Sequence, residues 1–309
     1  MKKLMFAAAA IAAGIAVADV TSANVVGYQN VAVPESGSFA GIAPTFCPVT
    51  DGVTGTIKLG EIKPVNFQSA TSLMLVNPSN GGTRSLTFED VEPFGWDADY
   101  FAYMSEEAGF DGTVIDAQFF YTEGDGGEGW YLMNDGWTSY NMNDWAISYG
   151  EGFIVNSADD DASLQFSGQV NQANYNFPVP PSGTFGSIAN PCPVAKTLAD
   201  FVPVDFQSAT SLMLVNPSNG GTRSLTFEDV EPFGWDADYF AYMSEEAGFD
   251  GTVIDAQFYY TEGDGGEGWY LMNDGWNSYI MNDWVVGAGE TLIVNSADDD
   301  ASITLPKAL

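Results

Sequence analysis

Phe67-Gln68-Ser69-Ala70-Thr71-Ser72-Leu73-Met74-Leu75-Val76 returns unchanged as Phe206-Gln207-Ser208-Ala209-Thr210-Ser211-Leu212-Met213-Leu214-Val215. The match runs on, so that 67–163 and 206–302 differ at only nine of 97 positions, offset by 139. Solenoid units repeat every ~20–50 residues, so a period this long is a duplicated domain. The nine differences gather toward the end of the repeat: Asn141 becomes Ile280, Tyr149 becomes Ala288, and Gly152-Phe153 becomes Thr291-Leu292. That edge is expected to form the junction between the copies.

Working outward, the repeat alternates short β-branched or aromatic runs with turn signals, the pattern of strands. Ser72–Val76 stops at Asn77-Pro78-Ser79-Asn80-Gly81-Gly82. Ser85–Phe88, Trp96–Tyr103, Val114–Tyr121 and Trp130–Met133 follow as expected strands, then Trp137–Tyr140 after the hairpin signal Asn134-Asp135-Gly136. Phe153–Val155 and Leu164–Phe166 close the unit across an Asp-rich turn. Before the repeat, Asn24–Val33 and Ser38–Ala43 read as strands, and Leu59–Ile62 as a short helical turn. Apart from Ser105-Glu106-Glu107-Ala108, no segment shows a 3.6-residue period. The expectation is all-β: two tandem, nearly identical β-sandwich or β-barrel domains at 19–170 and 171–309, after a signal peptide at 1–18.

The signal is read from Lys2-Lys3, the apolar run Leu4 to Ala16, and the small-residue cleavage pattern Ala16-Val17-Ala18. The run is shorter than the roughly 20 residues of a membrane span. Export to the cell surface or beyond is therefore expected, with no transmembrane span in the mature chain. The 309 residues carry 42 acids against 8 bases, a net charge of −34. Such a surface repels nucleic acid and anionic membranes, and neither is expected as a partner. It suits a saline exterior or the binding of cations.

Asn24-Val25-Val26-Gly27-Tyr28-Gln29 after the signal, Gly129-Trp130-Tyr131, and the closing Gly150-Glu151-Gly152-Phe153-Ile154-Val155 and Ser167-Gly168-Gln169-Val170 carry a resemblance. The chain resembles a group of exported, β-rich proteins of unknown function from Verrucomicrobia- and Lentisphaerae-type bacteria. The resemblance implies export and a β fold, and no active site. Copy two departs from it at Glu290-Thr291-Leu292-Ile293-Val294.

The chain contains no histidine. Ser/His/Asp and Cys/His nucleophiles and histidine-ligated metals are thereby excluded. Asp111-Gly112-Thr113 and Asp250-Gly251-Thr252 reverse the order of the aspartic-protease motif and read as turns. A carboxylate-only glycoside hydrolase stays open as an alternative, since two acids at a suitable spacing suffice. A non-enzyme is the main expectation.

Turn acids can gather the six to eight oxygens that calcium takes. The candidate ligands are Asp97, Asp99, Asp125, Asp159 and Asp161, matched by Asp236, Asp238, Asp264, Asp298 and Asp300. If Asp97-Ala98-Asp99 is a strand, both acids share a face. A calcium-stabilised adhesin or matrix repeat is then the alternative function, with Ca²⁺ as its cofactor. Aromatic rings are the other candidates, because exposed Trp and Tyr can stack on the apolar faces of sugars. Trp137 and Tyr140, with Trp276 and Tyr279, follow a turn and are expected to be exposed. The expected role is binding or surface and matrix structure, with carbohydrate binding to a polysaccharide or cell-surface glycan through these rings as the candidate form of binding.

Arg84 and Arg223 are the only arginines, and each is expected to hold a carboxylate. Cys47 and Cys192 fall in matching Cys-Pro-Val steps. They either pair near a pseudo-twofold axis or remain buried thiols.

Overall fold

The computed structural model describes residues 26–46, 56–68, 70–76, 83–132, 140–170, 174–206, 209–216, 222–272, 279–305 and 307. The expected signal peptide, Cys47, the Asn134-Asp135-Gly136 turn, Trp137 and Trp276 lie outside them.

The chain is all-β with short helices. The first half holds β1 (Val26–Ala32), β2 (Phe39–Ile42), β3 (Thr56–Lys58), β4 (Lys63–Val65), β5 (Ser72–Leu75) and β6 (Ser85–Thr87). After α1 (Phe88–Val91) and α2 (Ala98–Glu107) come β7 (Val114–Asp116), β8 (Gln118–Gly124), β9 (Gly127–Leu132), β10 (Ala146–Ser148), β11 (Phe153–Asn156) and β12 (Ser163–Gln169). The main sheet runs β2-β11-β5-β8-β9, and β1-β12-β4 forms a second. Among the described residues the strand pairings are antiparallel, Leu73 for instance lying between Val155 and Phe119. The sheets face each other across a core in which Phe153 of β11 meets Phe166 of β12 at 6.4 Å. Alternation does this: Leu164 and Phe166 point inward and are buried, whereas Ser163, Gln165 and Ser167 are not. Leu59–Glu61 forms the expected helical turn, of 3₁₀ type.

The second half repeats the plan with β13 (Tyr175–Pro178), β14 (Phe185–Ala189), β15 (Lys196–Thr197), β16 (Val202–Val204), β17 (Ser211–Leu214), β18 (Ser224–Thr226), α3 (Phe227–Val230) and α4 (Ala237–Glu246). Next come β19 (Val253–Asp255), β20 (Gln257–Gly263), β21 (Gly266–Leu271), β22 (Val285–Val286), β23 (Thr291–Asn295) and β24 (Ser302–Leu305). Its sheets run β14-β23-β17-β20-β21 and β13-β24-β16, around a core of their own.

Three segments depart from the sequence expectation, and Val114–Tyr121 is one of them, split at Ala117 into β7, paired with β6, and β8 of the main sheet. Trp96–Tyr103 is not a strand: Ala98–Glu107 is helical, with Asp97 as its N-cap and Phe101, Met104 and Ser105 buried on one face. The i, i+3, i+4 spacing of those three is the helical period that the density of aromatics obscured. Ser85–Phe88 likewise ends as a strand at Thr87. There Asp90 Oδ2 accepts the Thr87 N–H at 2.8 Å, and a helix starts at Phe88.

The halves meet through one face used twice. Ala43 N–H donates to Gly289 O at 2.8 Å, and its counterpart Ala189 N–H donates to Gly150 O at 2.9 Å. Between these bonds Val76 and Ile154 of one half pack with Val215, Ile293 and Met213 of the other. These residues are paired by the repeat, Val76 with Val215 and Ile154 with Ile293, so the contact has the self-complementary form of a twofold dimer. The divergent positions Tyr149 and Gly152 lie at this junction, as expected: Gly152 abuts Thr291, and Tyr149 reaches Tyr175 and Pro191. Asn141/Ile280 does not. It sits at the β9 and β21 edges, bridged to Tyr131 and Tyr270.

Candidate ligand-binding surfaces

Trp96, Trp130 and Trp145, with Trp235, Trp269 and Trp284, are all buried. The Trp130 indole N–H donates to Ile62 O at 3.1 Å and Trp269 does the same to Phe201 O, so these rings hold the core.

Tyr140 is half-buried, not exposed as its place after a turn suggested. Its ring lies 5.1 Å from that of Trp96 and 5.5 Å from that of Tyr100, and the ring of Tyr279 repeats this against Trp235 and Tyr239. The missed residues sit on α2. Tyr100 and Tyr103 are three apart, neighbours on a helix surface but on opposite faces of a strand. Tyr103 is 55% exposed, and so is Tyr242 on α4. Each half therefore carries a tyrosine surface graded from buried Trp96 through half-buried Tyr140 and Tyr100, with exposed Tyr103 alongside on the helix. The available signal was the Asp97 cap followed by the spacing of Phe101, Met104 and Ser105.

The acids proposed as calcium ligands are spread over separate tasks. Asp97 Oδ1 accepts the N–H groups of Asp99 at 3.0 Å and Tyr100 at 3.2 Å, and Asp236 does likewise for α4. Asp99 and Asp238 are exposed in the first turns of their helices. Asp125 and Asp264 are exposed in the β8–β9 and β20–β21 hairpin turns. Asp159 is buried and accepts the Gln68 N–H at 2.9 Å together with the Thr71 hydroxyl; Asp298 accepts the Thr210 hydroxyl. Asp161 and Asp300 are exposed. Among the described residues, no three carboxylate, thiol or imidazole groups converge as a metal site would require.

The Asp-Gly-Thr steps are turns. The Thr113 hydroxyl, then its N–H, donates to Asp111 and holds that carboxyl below the usual range, as Thr252 does for Asp250. Burial pushes Asp116 and Asp255 up. Burial also raises Glu151, against the downward pull of the Ser148 N–H that it accepts and of Arg84. Arg84 Nη1 lies 3.6 Å from Glu151 Oε1 and Arg223 Nη1 lies 3.8 Å from Glu290 Oε1, so both arginines hold a carboxylate. Cys192 is buried.

Among the described residues no helix is long and apolar enough to cross a membrane. The fold and these surfaces define a tandem all-β protein with aromatic faces in duplicate. Compared with known proteins, the chain matches no family model, no curated protein and no solved structure.

Proposed function

We propose that this is an exported, non-catalytic tandem protein that binds a polysaccharide or cell-surface glycan through the tyrosine surface of each half. The observation that carries the reading is the Tyr100–Tyr140 ring pair with exposed Tyr103 one turn along the same helix from Tyr100, repeated at Tyr239, Tyr279 and Tyr242. Aromatic rings offer an apolar platform to a sugar's C–H face at small entropic cost. Duplication suits binding to a repetitive polymer, where a second site raises avidity by roughly 10²-fold or more. It gives a catalyst little. Export is supported by Lys2-Lys3, the apolar run and Ala16-Val17-Ala18.

The test is depletion of the full chain from solution by insoluble polysaccharides, with Tyr103→Ala, Tyr242→Ala, Trp137→Ala and Trp276→Ala variants. Single-half variants should lose avidity and double-half variants should lose retention, with circular dichroism unchanged. Retention unaffected by all four changes would sink the tyrosine surface. Turnover abolished by one Asp or Glu change would make the protein a glycoside hydrolase instead.

A further inference from the structure

A cleft of about 310 Å³ opens along the junction, and no residue of the tyrosine surfaces lines it. The first half contributes Arg84 and Glu151 to its lining, and the second contributes Tyr175, Phe177, Phe185 and Ser187. Neither half forms it alone. Its volume lies at the small end of the ~300–1,000 Å³ typical of small-molecule sites.

The polar side of the cleft is open to a ligand. Arg84 touches Glu151 through one long contact of 3.6 Å, not the parallel pair of bonds that a guanidinium and a carboxylate make when locked together. Glu151 Oε2 turns instead to the Ser148 N–H at 3.0 Å, and the Arg84 guanidinium lies 5.7 Å from the centre of the Trp145 ring. The side chains of Arg84 and Glu151 are 35% and 19% exposed, so both are reachable. The apolar side is braced. The Tyr175 ring packs edge-on to Tyr149 at 5.6 Å, and the Tyr149 hydroxyl donates to Pro191 O at 3.3 Å.

The pseudo-equivalent pair Arg223–Glu290 is furnished differently. Strand register places Gln29 and Val31 where the second half has Tyr175 and Phe177. Ala288 stands where Tyr149 braces the wall. Among the described residues, the two pseudo-equivalent positions thus differ, and Tyr175 and Phe177 furnish only the Arg84–Glu151 side with rings.

We propose that this cleft binds one uncharged sugar residue per chain, its apolar face on Tyr175 and Phe177 and adjacent hydroxyls bridging Arg84 and Glu151. A hydroxyl both donates and accepts, so neighbouring hydroxyls can satisfy a guanidinium that only donates and a carboxylate that only accepts. An uncharged ligand fits because the pair is already balanced; a single added charge would leave one half-buried partner uncompensated. The net charge of −34 further opposes polyanions. The site shares the sugar chemistry of the proposed function but none of its residues.

The experiment is calorimetric titration of the full chain with a panel of neutral mono- and disaccharides, and with zwitterionic amino acids as the competing chemistry. In Tyr103→Ala/Tyr242→Ala, which removes the tyrosine surfaces, saturable binding of a neutral sugar at one per chain is expected. It should weaken about tenfold or more when Tyr175→Ala or Arg84→Lys is added. Melting curves identify a variant that fails to fold, and Glu151→Gln supplies a third variant of the cleft. Two sugars per chain in that background, binding lost only in the Tyr103/Tyr242 variant, saturation by amino acids alone, or no saturation by any neutral sugar would each overturn the cleft assignment. Polysaccharide retention tests the tyrosine surfaces and the titration tests the cleft, so a titration unchanged in every cleft variant, with retention lost in Tyr103→Ala/Tyr242→Ala, would overturn the cleft while leaving the proposed function standing. Loss of retention in neither set would overturn that function separately.

Discussion

Gly152 faces Thr291 across the junction, and the two occupy the same position in the two copies. A Cβ on Gly152 would lie 2.8 Å from Thr291 Cβ and nearer still to its Oγ1 and Cγ2. The axis relating the halves thus has room for one threonine and not for two. The unlike pair lets a twofold-like contact close tightly while fixing which half takes which role.

Gly152→Thr should therefore force the junction apart. Overpacking of a closed contact costs about 1–3 kcal/mol, enough to lower Tm by several degrees in a chain of this size. Adding Thr291→Gly should restore it, because the bulk is then on the other side. Differential scanning calorimetry decides: equal Tm in wild type and Gly152→Thr would mean that the halves are not in contact here.

Asp159 ties the closing turn of the repeat to Gln68 and Thr71. Asp159→Ala should destabilise the first half by about 1.5–3 kcal/mol, the range for hydrogen bonds to a charged group. Asp298→Ala should do the same in the second half. Because the acids are dispersed among caps and turns, excess chelator should leave Tm unchanged at matched ionic strength. A calcium-dependent rise of several degrees would restore the Asp-rich turns as ligands.

Asp97 caps α2 through two N–H groups, and Asp236 caps α4 in the same way. Each change to alanine should cost about 1 kcal/mol. The two sites lie in separate halves, so the double variant should equal the sum to within roughly 0.5 kcal/mol. Urea midpoints of the four proteins test this, and no loss in either single variant would contradict the capping role.

Stability should depend on pH in a definite direction. Burial raises Glu151, Asp116 and Asp255. As pH falls through their raised values the native chain takes up protons before the unfolded one, so unfolding becomes harder until the ordinary carboxylate range is reached. Asp111 and Asp250 are lowered, and what they contribute is lost only below that range. Tm should thus rise as pH drops toward the ordinary carboxylate range, then fall at stronger acid. Glu151→Gln should flatten part of the rise; a steady fall from pH 7 downward would refute the assignment.

Much of the fold was legible from residues alone. Leu164 and Phe166 alternate with polar neighbours, and the residues of β8 and β9 flank an Asp-Gly step. Such patterns need only a local period and a turn. Arg84 and Arg223 could be paired with carboxylates in advance because so few cations stand among so many acids. The tyrosine surface could not be read the same way. With Trp96–Tyr103 taken as a strand, Tyr100 and Tyr103 fall on opposite faces, and nothing brings Tyr140 to Trp96.

By itself, the sequence determined the duplication, the β class and the absence of imidazole chemistry. Comparison of two strings, short-range alternation and a residue count suffice for these. Tertiary packing settled α2 as a helix over the competing strand pattern and set Tyr100 against Tyr140. A ten-residue helix is marginal in isolation and persists because Phe101 and Met104 are buried. It also decided that Gly152 meets Thr291 and that Arg84 and Tyr175 line one cleft. Those contacts join residues from different copies, and no local periodicity specifies how two closed cores come together.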